Sequence, residues 1–428
     1  MHILQDFKGF KLADINLLKP LTVLIGPNGS GKSNAIEGIE LLSFLARGRP
    51  IHEITDLSKG GSIEVRGGLQ SCPRRGSDTF SLGFVASTRF EGKWRSIFYF
   101  LGVTTLPRPR ITFENLSLDD DKTLIFKTTN SDDGGVSADI RVRYNNFARG
   151  GHKPQVSVSA NRSVLSQYRD FAQNNRKREA CFELVDDLMR YLRASFVFDP
   201  RPNLMREYER IGNTVLLRDG SNLSAVLYGL GQGTPEERES LARLLGWIKQ
   251  LPEEPFQDIG FVTTELNDVI FGFKENADAP LIDARLLSDG TLRCLAVLTA
   301  LETADTGSRV IIEEFDNGLH PSRVHILTRA ISECCKRRHL NVLVTTHNPA
   351  TLNALDEDML DGVVVCAWDQ SEGTFKLIPL LELPRHDELL ERARLGDLVT
   401  RNVVEQYLTP HFEENRKEEA LNWLKNLP

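Results

Sequence analysis

The chain has 428 residues, 40% hydrophobic and 26% charged, with a net charge of −7. With a mean hydropathy of −0.26, this is the balance of a folded chain of about two or three domains, and it excludes collagenous, disordered and membrane-spanning classes: no apolar run approaches the ~20 residues a bilayer requires. The net acidity argues against an electrostatic glove for nucleic acid along the whole chain, and six scattered cysteines without a C-x-x-C read as free thiols of a reducing, cytoplasmic setting.

The opening MHILQDFKGFKL alternates polar and apolar residues and reads as a first strand, not a signal peptide. The apolar strand Leu21–Ile25 then runs into Gly26-Pro27-Asn28-Gly29-Ser30-Gly31-Lys32-Ser33, followed by Asn34 and by Ile36, Ile39, Leu42 and Leu45 at helical spacing. This is a complete G-x-x-x-x-G-K-S between a strand and a helix. Its glycines let backbone N–H groups wrap the phosphates of a nucleotide, and the helix N-terminus adds a favourable dipole. Lys32 brings a point charge to the β- and γ-phosphates, and the Ser33 hydroxyl is a ligand for Mg²⁺.

From about 60 to 160 the apolar period becomes two, as in Phe80/Leu82/Phe84 and Ile140/Val142/Tyr144, which predicts a meander of half-exposed antiparallel strands. Residues 161–285 read as mainly helical, with Leu184, Leu188 and Leu192 on one face and Leu241, Leu244, Leu245 and Ile248 on another. Prolines keep these helices short, and no sustained heptad supports a coiled-coil arm. Over 286–370 strands and helices alternate, which predicts βαβ units and a parallel sheet: helix Thr291–Ala304, strand Val310–Ile312, helix Ser322–Arg338, and strands Asn341–Thr345 and Gly362–Ala367.

Three further elements lie in that stretch. Leu287-Ser288-Asp289-Gly290-Thr291 precedes a helix, where Ser288 is either a plain N-cap or part of an anion site made of its hydroxyl and free N–H groups. Val310-Ile311-Ile312-Glu313-Glu314 ends a buried strand in two carboxylates; coupled to a phosphate loop, Glu313 is assigned to the metal and Glu314 to orienting or deprotonating the attacking water. Thr345-Thr346-His347-Asn348-Pro349 ends the next strand and places His347 to bond a γ-phosphate.

In this order the elements resemble the head of the ABC-type ATPases, and the N-terminal run DFKGFKLADINLLKPLTVLIGPNGSGKSN is similar to their SMC/RecF/OLD-like branch. The runs IDARLLSDGTLR, IIEEFDNGLHP and TTHNP resemble the bacterial predicted-ATPase group labelled AAA-21 or AAA-15. Asp289 and Thr291 depart from the usual Gly-Gly-Gln of the signature loop, Glu313 stands where Asp is usual, and Phe315-Asp316 replaces a Pro-Glu pair. Gln70 and Gln167 are candidates for the Q-loop by residue type alone.

The resemblance implies an α/β ABC ATPase head of the P-loop NTPase class. Residues 1–160 would form a first lobe with an antiparallel β subdomain, 161–285 a helical insertion, 286–370 a second lobe and 371–428 a helical C-terminal extension. It also implies ATP and Mg²⁺ as cofactors, and a homodimer, possibly extended to a higher oligomer, that sandwiches ATP between Lys32 of one copy and Ser288, Asp289 and Gly290 of the other. The function expected is an ATPase that controls a separate effector, a nuclease or toxin, in antiviral defence, without a membrane partner. The alternative is a RecF- or SMC-like ATPase of DNA repair or recombination that binds DNA. A transporter subunit is disfavoured by the long middle insertion.

Overall fold

The computed structural model describes residues 1–55, 63–119, 122–129, 138–150, 152–193, 195–252, 255–384 and 386–400. Its contacts divide the chain into two compact units: residues 1–18, 29–195 and 372–377 in the first, and 19–28, 196–371 and 378 onward in the second. The cut falls inside the glycine-rich loop, between Asn28 and Gly29.

The first unit is built on an eight-stranded antiparallel sheet. Its strands lie side by side in the order Gln155–Ser159, Asp139–Tyr144, Thr123–Thr129, Arg110–Leu118, Lys93–Thr104, Thr79–Phe90, His2–Phe7 and Phe10–Ile15. The predicted alternation holds. Phe80, Leu82 and Phe84 are buried, as are Leu101, Tyr99, Leu116, Ile140 and Val142, while their sequence neighbours turn to the opposite face. Helices Lys32–Ala46, Val164–Phe171 and Arg178–Arg193 cover the buried face. Aromatic pairs lock them there: Phe84 with Tyr191, Phe126 with Tyr168, and Tyr144 with Phe171. Each large side chain removed from water contributes roughly 1.5–3 kcal/mol.

One carboxylate is sealed in this layer. Glu114 accepts bonds from Tyr99 Oη (3.0 Å), Ser163 Oγ (2.9 Å) and the backbone N–H groups of Val164 and Leu165 (2.7 Å each). It thereby satisfies the free donors at the N-terminus of helix Val164–Phe171, where Ser163 itself makes no capping bond.

The second unit holds a parallel sheet with Leu21–Ile25 at its centre. Asn341–Thr345 pairs with it on one side and Val363–Asp369 on the other; Arg309–Ile312 continues the sheet beyond Asn341–Thr345, and Ser195–Phe198 lies beyond that. All five residues of the central strand are buried, which fits its continuous apolar run. Helices Asp289–Thr303 and Pro321–Arg338 pack against this sheet and each other. The predicted elements of this stretch all appear, with ends shifted by a residue or two.

The middle stretch, expected to be mainly helical, also holds a sheet. Helices Leu223–Gln232 and Pro235–Ile248 are present, the latter started by a capping box between Thr234 and Glu237. Beside them, Glu209–Arg210, Asp268–Lys274, Asp258–Thr263 and Ile282–Asp283 form a small antiparallel sheet. The run Val269–Phe273 is buried along its whole length, so it lacks the alternation that marks a strand. The stretch expected as a helical extension opens with the strand Thr374–Pro379, followed by helices His386–Arg392 and Leu395–Thr400; residues 401–428 lie outside the described residues. Among the described residues no helix is long and apolar enough to cross a membrane.

Candidate functional site

Parallel strands end on one edge of a sheet, so the loops that follow them converge there. In the second unit, Ile25 leads into Gly26-Pro27-Asn28, Ile312 into Glu313-Glu314, and Thr345 into Thr346-His347. The registers Ile312↔Val344, Val344↔Val23 and Thr345↔Leu24 bring the three strand ends level. Thr346 N donates to Leu24 O at 3.2 Å, and Glu313 N to Phe198 O at 3.2 Å.

The glycine-rich loop turns through three left-handed glycines, Gly26 (φ 143°), Gly29 (82°) and Gly31 (102°), and Gly31 is the N-cap of helix Lys32–Ala46. A Cβ at Gly31 would lie 2.9 Å from the Phe375 ring, so both backbone angle and space demand glycine. Gly29, Pro27 and Asn28 are exposed, Lys32 is buried and Ser33 half-buried. Among the described residues the buried Ser30 hydroxyl has no hydrogen-bond partner. Asn34 accepts from Arg66 Nη2 at 3.3 Å, and the same arginine, with Lys8, pairs with Glu37 one helical turn on.

Glu314 stands in a left-handed conformation (φ 44°), unusual for a residue with a Cβ. Its backbone is clasped at both ends: the N–H donates to Thr345 Oγ1 at 2.9 Å, and the carbonyl accepts from Arg293 Nη1 at 3.3 Å. Its carboxylate accepts from Asn317 Nδ2 at 3.2 Å and lies 3.9 Å from His347 Nδ1. Arg293 is held among Asp199, Glu314, Asp289 and Asp316; burial lowers its pKa from the usual value, and these four carboxylates oppose that. Next along, Asp316 is buried and accepts from the Thr346 hydroxyl at 2.6 Å and from that of Thr351. Burial pushes its pKa upward against those two hydroxyl bonds.

The Ser288 loop is the third component. Ser288 Oγ accepts from Thr291 N at 3.1 Å and caps helix Asp289–Thr303. Arg323 Nη1 reaches Ser288 Oγ at 3.4 Å and Thr291 Oγ1 at 3.2 Å. Arg206 holds the loop from behind: its Nη1 donates to the carbonyls of Ala284 (3.2 Å), Arg285 (3.0 Å) and Leu287 (2.8 Å), and its Nη2 pairs with Asp289. The Ser288 and Asp289 side chains remain exposed.

Motif reading missed Arg206, Arg293, Arg323, Asn317 and Thr345. Thr345, Asn317 and Arg293 sit inside the runs quoted above; Arg206 and Arg323 lie outside them. Gln167 spends its amide on the carbonyls of Ser159 and Arg162, and Gln70 lies in the turn Leu69–Ser71. Among the described residues no group of three or more His, Cys, Asp or Glu could hold a metal ion. Mg²⁺ on a nucleotide takes one or two protein ligands and completes its shell with phosphate and water. Ser33 Oγ and a Glu313 carboxylate oxygen are hard donors of the right kind.

A phosphate loop after the central parallel strand, acidic and histidine loops on neighbouring strands, and an antiparallel sheet in the other unit are the parts of an ABC-type ATPase of the SMC/RecF-like branch. Residues 21–353 match the family described as "AAA domain, putative AbiEii toxin, Type IV TA system", and the chain belongs to that family. Similar relatives include two proteins called "DNA replication and repair protein RecF". That of Acaryochloris marina is 39% identical over 61 residues, and that of Gloeobacter violaceus 42% over 53. The matches span 14% and 12% of this chain and only 16% and 13% of those proteins. Similar solved structures include the SMC head domain from Thermotoga maritima (14% identity, TM-score 0.41, 88% of this chain and 97% of that one). Another is an Smc head bound to the C-winged helix domain of ScpA (11%, TM-score 0.47, 88% and 95%).

Proposed function

We propose that the chain binds and hydrolyses ATP with Mg²⁺ as a homodimer, and that the ATP-dependent closure of two copies controls a separate effector in defence against phage. Lys32 and the N–H groups of Gly29, Ser30 and Gly31 would hold the β- and γ-phosphates, Ser33 and Glu313 the metal. Glu314 would orient the attacking water, with His347 at the γ-phosphate. Mg²⁺, when bound, would supply positive charge to the phosphates; Glu314 would take a proton from the water as the water's oxygen bonds to the γ-phosphorus and the bond to the β–γ bridging oxygen breaks, releasing ADP and inorganic phosphate. Ser288, Asp289 and Gly290 of a second copy would close over the nucleotide.

The observation that carries this reading is the state of Glu314: a left-handed backbone fixed by Thr345 and Arg293, with a carboxylate left half-buried beside His347. Backbone strain of about 1–3 kcal/mol persists where surroundings enforce it, and enforced strain clusters at functional sites. The family's description, a putative toxin of a toxin–antitoxin system, supports the defence setting. The test is a Glu314→Gln variant with ATP and Mg²⁺: turnover should fall at least about a hundredfold, and the protein should sediment as a dimer with ATP but not with ADP. A variant that turns over normally, or stays monomeric with ATP, rejects the proposal.

A second reading rests on the similarity to the two repair proteins named above: an ATPase that holds duplex DNA when closed. ATP-dependent, salt-sensitive retention of duplex DNA would favour it over effector control.

A further inference from the structure

We infer that the outward face of the eight-stranded sheet in the first unit is a platform for single-stranded nucleic acid. This stands apart from both readings of the nucleotide site.

The register fixes what this face presents. Gly83 faces Phe100, Phe100 faces Asn115, Asn115 faces Lys127, and Lys127 faces Arg143, in one row across five strands. Residues directly opposite one another share a face, so this row lies on the side away from the buried Tyr99, Leu101, Leu116, Phe126 and Val142. Phe98 follows at the next outward position of the Phe100 strand, and Phe113, opposite Gly102, on the adjacent strand.

The rings are set for stacking. A Cβ at Gly83 would lie 2.5 Å from the Phe100 ring, so that ring lies over the bare backbone of Gly83 instead of standing up from the sheet. Phe98 and Phe100 are half-exposed and Phe113 is 42% exposed, and among the described residues none of the three stacks on another aromatic ring. Two rings two residues apart on one strand and a third on its neighbour are the arrangement by which a sheet stacks unpaired bases.

The cations lie to one side. Lys127 and Arg143 are two and three strands from Phe100, about 10–14 Å at the usual strand spacing, and Arg141 follows two residues from Arg143. Among the described residues none of the three pairs with a carboxylate, and Arg143 Nε has no partner. A single strand stacked on the phenylalanines would run its phosphates over these cations within about two to four nucleotides. A duplex hides its base faces from such rings. A protein partner is less favoured, because Asn115, Ser96 and the cations interrupt the apolar surface.

The test is fluorescence anisotropy with labelled oligo-dT and oligo-U of about 20 nucleotides and a duplex of the same length, at about 50 mM salt, with nucleotide binding measured separately. The expected result is salt-sensitive binding of the single strands, with the two probes distinguishing DNA from RNA. A Phe98→Leu/Phe100→Leu/Phe113→Leu variant keeps apolar volume but loses stacking, and should bind at least about tenfold more weakly. Lys127→Gln/Arg141→Gln/Arg143→Gln should lower the salt slope by about 2. Should the triple leucine variant fail to fold, the exposed Phe113→Leu alone should weaken binding by about threefold or more. Absence of single-strand binding, a stronger preference for duplex, or unchanged affinity in the folded leucine variants overturns the inference. A leucine variant that changes only the oligomeric state would make the face a protein interface instead.

Discussion

Asp316 and Thr346 are joined by a 2.6 Å hydrogen bond across two neighbouring strand ends, with the hydroxyl donating to the buried carboxylate. Thr351, in the short helix Pro349–Asn353, donates to the same oxygen. One carboxylate therefore ties the loop carrying Glu314 to the loop carrying His347.

Replacing it should uncouple those loops. Asp316→Ala strands two hydroxyls, each costing about 1–3 kcal/mol when unpaired and dry. The expected outcome is a fold that survives with lower stability and an ATP turnover reduced about tenfold or more. Steady-state kinetics beside a thermal melt decide the matter; a melt that drops while turnover stays put would mean the tie is only structural.

Glu314 offers a test in which stability and activity part ways. Glycine accepts a left-handed backbone without the ~1–2 kcal/mol that a Cβ costs there, though its unfolded chain is freer. Glu314→Gly should thus be neutral to about 1 kcal/mol more stable in denaturant titration, while losing turnover. Marked destabilisation would show that the side chain, not the backbone, is what the surroundings enforce.

Arg206 is the clasp of the Ser288 loop. Arg206→Ala removes the donor to three carbonyls and the partner of Asp289. Nucleotide binding by a single copy should be retained, while ATP-dependent dimerisation weakens about tenfold or more. Equilibrium sedimentation with ATP, alongside titration of a fluorescent nucleotide, separates the two; equal losses in both would sink the assignment.

Glu114 gives the fold a pH signature. Burial pushes its carboxyl up to about 7, against four donors that favour the charged form. The folded state then keeps this proton to a higher pH than the unfolded chain. The contribution is complete below the ordinary value of 4.5 and fades as pH rises through 7. Between about pH 5 and 8 the wild type should lose up to about 3 kcal/mol from this group, a slope absent from Glu114→Gln. Parallel slopes in denaturant melts would show that the four donors hold the carboxylate ionised throughout.

Much of the parallel core was legible because its strands are short, apolar and followed by loops with a chemical imperative. Leu21–Ile25 before a glycine loop, and Arg309–Ile312 before two acids, leave little choice of fold. The strand Asp268–Lys274 hid because burial on both faces erases its period, and a buried helix segment would look the same. The site was legible where its residues lie in one run, as at Gly26–Ser33. Arg206 was not, since nothing local distinguishes an arginine that grips a distant loop from one on a solvated surface.

The Ser288 loop takes its shape from its own Ser288 cap and from a guanidinium some eighty positions earlier in the chain. Such a loop is free to vary in sequence so long as its carbonyls still meet that fork, which gives a physical reason for Asp289 and Thr291 to depart from the Gly-Gly-Gln that the resemblance leads one to expect. Anyone grafting this segment into another scaffold would have to carry Arg206 with it, or the transplanted turn would have no mould.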